Sequence, residues 1–205
     1  MKTFSQFVTE EAAKEHHVLA FGRMNPLTSG HAAVVNKVHE IAKKHNAGHT
    51  VVVSHTHDAK KNPLTGAQKV KHARRAFPGT NIKASSPEHP TILHHAAELH
   101  KQGVKHLHVV VGSDRAKEMH DLLHRYNGVK SKEGHPGYNF KSITVHNAGH
   151  RDPDAEGTSG ISASKMRAHA AAGNKKAFHA GAPAGMTQKH KDEMYHDVRK
   201  GLGIK

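Results

Sequence analysis

The chain reads as an α/β protein, a doubly wound parallel sheet of about five strands. Three observations predict this. Short apolar runs alternate with segments of helical periodicity along most of the chain. The runs at 18–21 (VLAF), 50–54 (TVVVS) and 104–111 (VKHLHVVV) contain continuous apolar stretches, as in strands covered on both faces. Polar residues with chemical reach cluster where these runs end and the next helix begins, which is where such sheets bind ligands.

Residues 1–15, MKTFSQFVTEEAAKE, form an amphipathic leader with Phe4, Phe7 and Val8 apolar. The first core strand is Val18–Phe21, with Gly22 permitting a sharp exit. Pro26 delays the helix, because the residue before a proline is pushed from the helical region. Thr28 and Ser29 are competent caps. From Gly30 onward Ala33, Val34, Val38 and Ile41 share one helical face, and Asn46-Ala47-Gly48 stops it. The second strand is 50–54, and His55, Thr56 and His57 at its carboxyl end are candidates to face a site. Thr65 caps a helix over 66–77. Residues 81–85 form a third strand, and 90–100 a helix with Ile92, Leu93, Ala96 and Leu99 inward. The fourth strand, 104–111, ends in Gly112-Ser113-Asp114-Arg115, ahead of a helix over 116–125. A fifth strand covers 142–146. Two polar, Gly-containing loops, 126–140 and 147–160, flank it. A helix starts after Ser162, and helical fragments broken by Gly173 and 181–185 follow. The division expected is a leader (1–15), a single domain (16–180) and a C-terminal helical extension packed on it (181–205).

Composition narrows the function. Lys and Arg total 31 against 17 acidic residues, a formal charge of +14 over 205 residues, which favours anionic partners. With no Cys, disulfide scaffolds and thiolate metal sites are excluded. Trp is absent and Phe and Tyr are few, so stacking platforms for single-stranded nucleic acid are scarce. No stretch approaches about 18 apolar residues, so no membrane span is expected. No apolar core follows Lys2, so the N-terminus does not read as a secretory signal. The 24 His are scattered without a His-Glu-x-x-His pattern, and no dedicated metal site is expected from their spacing.

Two segments carry chemistry. Thr28 and His31 share one side of a first helical turn, with Gly30 leaving space between them. Backbone N–H groups at such a helix start attract phosphate. In the second, Ser162 or Ser164 caps a helix and Arg167 lies three residues beyond Ser164. Dipole, hydroxyl and guanidinium can converge there on a polyphosphate. Between them, Gly112 and Asp114 mark a strand end, where Asp114 either accepts from a ligand or caps the next helix. Lys60 or Lys61 is a further phosphate candidate, as is Arg151.

Gly22-Arg23-Met24-Asn25-Pro26-Leu27-Thr28-Ser29-Gly30-His31 resembles the first signature of the HIGH-motif, cytidylyltransferase-like nucleotidyltransferases. Gly112-Ser113-Asp114 resembles their second landmark. Ile161-Ser162-Ala163-Ser164-Lys165-Met166-Arg167 is similar to their Ile-Ser-x-Thr/Ser-x-x-Arg signature. Many members have His where this chain has Thr28, and the phosphopantetheine branch has Thr. The Gly22-Arg23 opening is more like the nicotinamide-mononucleotide branch. Near Lys69 and Lys71 the family more usually carries Arg. The short Met-Lys-Thr-Phe start resembles leaders of some tailed-phage proteins.

The resemblance implies a Rossmann-like sheet of order 3-2-1-4-5. It implies transfer of AMP from ATP to a phosphorylated acceptor, nicotinamide mononucleotide by preference, with pyrophosphate released and Mg2+ carried by the triphosphate rather than by protein ligands. His31, Thr28 and Arg167 take the catalytic roles. Gly22, Arg23, Gly30, Gly112, Asp114, Ile161, Ser162 and Ser164 bind nucleotide. The alternatives are CTP with a phosphorylated alcohol, or a non-catalytic virion-associated or polyanion-binding protein. The expected partners are small nucleotides and acceptors, a second copy of the chain, and nucleic acid or virion through the basic surface. The expected location is the cytoplasm, that of the host if the source is viral, or the virion.

Overall fold

The computed structural model describes residues 15–131, 136–149 and 161–204. Five strands form one parallel sheet: β1 (His16–Gly22), β2 (Gly48–Val53), β3 (Ile82–Ala84), β4 (His106–Val111) and β5 (Ser142–Asn147). Their order is β3-β2-β1-β4-β5, as the resemblance implied. Leu19 of the central strand lies opposite Thr50 on one side and Val109 on the other. The intervening helices are α1 (Ser29–Lys44), α2 (Gly66–Ala76), α3 (Ile92–Lys101) and α4 (Ala116–Arg125). After β5 come α5 (Ala163–Ala171), α6 (Lys175–Gly181) and α7 (Gln188–Gly201).

Strand period divides the core into two layers. Val18, Ala20, Val51, Val53 and Val110 point to one side, where α1, α2, α5, α6 and α7 bring Val35, Val38, Ala73, Met166, Phe178 and Met194. Leu19, Val52, Leu107 and Val109 point to the other, against Ile92, Ala96 and Leu99 of α3 and Met119 and Leu123 of α4. Leu19, Val52 and Leu107 are fully buried. Each such side chain contributes roughly 1.5–3 kcal/mol relative to exposure. The fold is therefore an α/β Rossmann-like sandwich with both sheet faces covered.

The C-terminal helix belongs to this core. Met194 and Val198 are fully buried in the first layer. A Cβ at Gly201 would lie 2.0 Å from the Pro63 carbonyl oxygen, so glycine lets α7 close on the loop before α2. Met194, Tyr195 and Val198 form its buried stripe.

Two local expectations change. The turn after β1 is not made at Gly22, which stays in the strand opposite Val53. Met24 takes the left-handed backbone instead, at φ 44°. The helix expected from residue 90 begins at Ile92, with Thr91 as cap, because Pro90 and the residues around it remain outside the helix. Most of the 1–15 leader, Gly160 and Arg151 lie outside the described residues. Among the described residues no helix is long and apolar enough to cross a membrane.

Candidate active site

A cleft of about 620 Å³ opens at the carboxyl ends of β1 and β4. This is where the strand order reverses, since β2 and β3 extend from one side of β1 and β4 and β5 from the other. The β1–α1 loop, the β4–α4 turn and the start of α5 all reach it, together with Lys61 and Asn62.

The β1–α1 loop is held by Asn25, which is 2% exposed. Its Nδ2 donates to the Leu64 carbonyl at 3.0 Å, and its Oδ1 accepts from the Leu64 N–H at 3.0 Å. Its own carbonyl accepts from Arg167 Nη1 at 2.7 Å. One side chain thus joins the β1 loop to the segment before α2, and its backbone receives α5. Sequence alone does not single out Asn25. Its only local signal is an amide beside a proline, which is equally the mark of an ordinary turn residue.

His31 stands where a capping box would place Glu. Its Nδ1 accepts from the Thr28 backbone N–H at 3.0 Å and lies 2.9 Å from Thr28 Oγ1. An accepting Nδ1 leaves the proton of the neutral ring on Nε2. His31 is therefore set as a donor through Nε2, beside the positive end of the α1 dipole. Thr28 is only 1% exposed. Its hydroxyl lies beside the imidazole, and Thr28 lines the cleft with His31. A Cβ on Gly30 would meet nothing closer than Thr28 Oγ1 at 3.6 Å. The protein's own packing does not demand a glycine there, and the gap opens on the cleft.

Across the cleft Ser162 caps α5, its Oγ accepting from the Lys165 N–H at 3.0 Å. Ser164 does not cap. Its Oγ accepts from Arg167 Nη2 at 3.0 Å. Arg167 is thus fixed between Ser164 and Asn25. Partial burial and the nearby Arg23 charge push its pKa down, while Asp58 opposes them. Like charges gathered in one cleft make it attractive to an anion. Arg199 braces the far end of α5 by donating to the Ala170 carbonyl at 2.7 Å.

Gly22, Arg23, Gly30, Gly112, Asp114, Ser162 and Ser164 line the cleft with His31, Thr28 and Arg167. Ile161 does not. Its side chain packs in the core, within 2.6 Å of where a Gly181 Cβ would lie, so it seats α5 beside α6. A Cβ at Gly112 would lie 2.7 Å from Asp114 Oδ1, and the glycine leaves that carboxylate room. Asp114 does not cap α4, whose start shows no side-chain cap bond. Among the described lining residues it is the one carboxylate, too few for a protein-built Mg2+ cage.

Of the lysines, Lys61 reaches the cleft and Lys60 does not. Asp58 accepts from the backbone N–H groups of Lys60 and Lys61 at 2.9 and 2.6 Å, which fixes the turn that presents Lys61. These bonds hold the Asp58 carboxyl well below its ordinary range. Lys69 is a scaffold residue. It is 2% exposed, and its ammonium donates to the Ser54 and Thr56 carbonyls at 2.8 Å each. Burial and Arg23 lower its pKa to about 8. Lys71 pairs with Glu193 on α7. His55 is tied to Ser85, and neither it, Thr56 nor His57 lines the cleft.

Sheet order, switch-point cleft and opposed helix starts together define a Rossmann-like α/β protein with an anion-attracting site. A family model described as cytidylyltransferase-like matches residues 19–169. The chain belongs to that family, within the HIGH-motif nucleotidyltransferase superfamily. The matched span holds all eleven of the site residues expected from sequence. Comparison with individual curated proteins returns no match. Family membership supports nucleotidyltransferase activity, and the family generally uses a nucleoside triphosphate with Mg2+.

Proposed function

We propose that the protein is an adenylyltransferase, moving AMP from Mg·ATP to nicotinamide mononucleotide and releasing pyrophosphate. The observation that carries the reading is the opposition of two helix starts across one cleft, one bearing His31 as an Nε2 donor and the other a fixed Arg167. The acceptor's phosphate oxygen attacks the α-phosphorus. The bond from that phosphorus to the bridging oxygen breaks, and pyrophosphate leaves. A phosphate monoester is largely dianionic at neutral pH, its second pKa being about 6, so no general base is required. The protein acts by positioning and charge stabilisation. His31 donates to an α-phosphate oxygen as charge builds there. Arg167, with Ser164 and the α5 dipole, holds the β- and γ-phosphates. Lys61 and Arg23 add charge at the mouth. Mg2+ enters with the triphosphate.

Arg167→Ala is expected to raise the ATP Kd about tenfold or more, since charge-assisted hydrogen bonds contribute roughly 1.5–3 kcal/mol. Lys101→Ala, on an exposed face of α3, should leave it unchanged. Equal Kd values for the two variants by calorimetric titration would remove Arg167 from the site.

The acceptor and base are tested together. ATP with nicotinamide mononucleotide should give NAD and pyrophosphate. The cytidylyltransferase-like match favours a second reading, CTP with a phosphorylated alcohol. Turnover with that pair alone would establish it and exclude the first. The +14 charge favours a third, a non-catalytic polyanion-binding protein.

A further inference from the structure

Sequence spacing gives no reason to expect a dedicated metal site, yet the fold collects histidines from three elements at the amino end of the sheet. His16 opens β1, His108 lies in β4, and His45 follows the last residue of α1. One ring nitrogen from each lies within 4.8 Å of the other two. His16 Nδ1 is 3.1 Å from His108 Nε2, and the His45 ring stacks on His108 with centroids 4.2 Å apart. We propose that His16, His45 and His108 form a binding site for a divalent late first-row transition metal ion, Zn2+ by class.

The chemistry of the donors selects this class. Three imidazoles with no carboxylate among them suit Zn2+, Ni2+ or Cu2+ and do not suit Mg2+ or Ca2+. Tetrahedral coordination at roughly 2.0–2.1 Å places ligand nitrogens about 3.3 Å apart, and the three donor atoms lie within 4.8 Å of one another, so the stacked rings must turn to converge on an ion. A partner that orients one of the ligands is also present. His108 Nδ1 is 3.0 Å from His146 Nε2, so His108 can donate its second N–H there while offering Nε2 to the ion. His16 and His45 are partly exposed, which gives the ion a path in and leaves a fourth position to water.

The site is separate from the nucleotide cleft. The 16 residues of α1 lie between His45 and the helix start that carries His31, a length of about 24 Å. An ion there fastens the trailing end of α1 to β1 and β4. Its role is structural.

The test uses the full chain without an affinity tag, stripped of metal by chelator and titrated with Co2+. Tetrahedral Co2+ gives intense visible absorption, which octahedral surface complexes lack. Wild type should develop that absorption to one equivalent, and Zn2+ should abolish it. His45→Ala and His16→Ala change partly exposed rings, and circular dichroism checks that each folds. Both should lose the absorption. His120 and His124 stack on the surface of α4 at 4.0 Å, so their double Ala variant is the control for incidental binding and should keep it. Zn2+ at about a hundredfold over Kd should raise the wild-type Tm by roughly 5 °C or more and leave His45→Ala unmoved. Absence of the absorption in wild type, its survival in folded His45→Ala, or its loss in the α4 control would each overturn the proposal.

Discussion

His31→Ala should release pyrophosphate roughly 10²–10³ times more slowly than wild type while keeping most of its ATP affinity. Loss of one donor aimed at developing charge typically costs about 3–4 kcal/mol in the transition state. The ground state suffers less, because Arg167 and the two helix dipoles still hold the triphosphate. The fold should survive, since His31 is partly exposed and caps one helix turn. The Thr28→Val variant separates positioning from contact. It removes the hydroxyl beside Nδ1 and leaves the backbone N–H that fixes the tautomer. Its kcat loss should therefore be much smaller than that of His31→Ala, with KM for ATP nearly unchanged. Single-turnover kinetics with separate ATP titration measures both quantities. Equal loss of affinity and rate in His31→Ala would make His31 a ground-state ligand and nothing more.

Folding stability should fall steeply between pH 6.5 and about 4. His95, on α3, is 4% exposed, and among the described residues neither of its ring nitrogens has a hydrogen-bond partner. Its pKa is lowered to about 4, chiefly by burial and then by Lys83, with Glu98 opposing. His72 on α2 is fully buried and is also pushed down by burial, although Asp197 accepts from its Nε2 at 2.8 Å. Both groups have folded pKa values below the free value near 6.5. The unfolded chain therefore binds more protons as pH drops through this window. Stability is fully present above about pH 6.5 and declines until pH passes the folded pKa. His95 alone accounts for on the order of 3 kcal/mol by pH 4, at about 1.36 kcal/mol for each pH unit separating its folded and free pKa values. That is a large part of the roughly 5–15 kcal/mol usual for a domain. His95→Leu removes a buried polar ring that has no hydrogen-bond partner and only a 3.7 Å contact with Glu98, so it should flatten the acid limb and be more stable at pH 5. Urea denaturation from pH 8 to 4.5 in chelator reads this directly. A flat profile, or an acid limb unaltered in His95→Leu, would contradict it.

The sheet is legible in the sequence because its strands are apolar on both faces and its helices carry one apolar stripe. Val51–Val53 and Val109–Val111 can hardly be anything but buried strand once helical runs flank them. The strand order does not follow from periodicity. It comes from the likeness of three short motifs, each of which lies at a strand end or helix start. Those motifs also single out His31 and Arg167, two residues that the fold brings to one cleft. What does not show in the sequence depends on tertiary contact. Asn25 matters only because Leu64 is folded against it. Lys69 reads in sequence as a solvated charge, yet the end of β2 closes over its ammonium. Ile161 sits inside the third of these motifs but packs beside α6. The 2.9 Å approach of the Thr28 hydroxyl to the His31 ring shows only once the helix turn is built. His16, His45 and His108 share no spacing that a sequence reading can use, and it takes the parallel pairing of β1 with β4 and the end of α1 to bring them together.

Nucleotidyl transfer in the cleft between β1 and β4 is tested most directly by pyrophosphate release from the wild-type chain, measured over ATP, CTP, GTP and UTP against nicotinamide mononucleotide and phosphorylated alcohols. Sustained release is expected with ATP and nicotinamide mononucleotide, and it should require both substrates and Mg2+. Release from no pair, with polyanion binding that is equal in wild type and His31→Ala and is abolished steeply by salt, would contradict it.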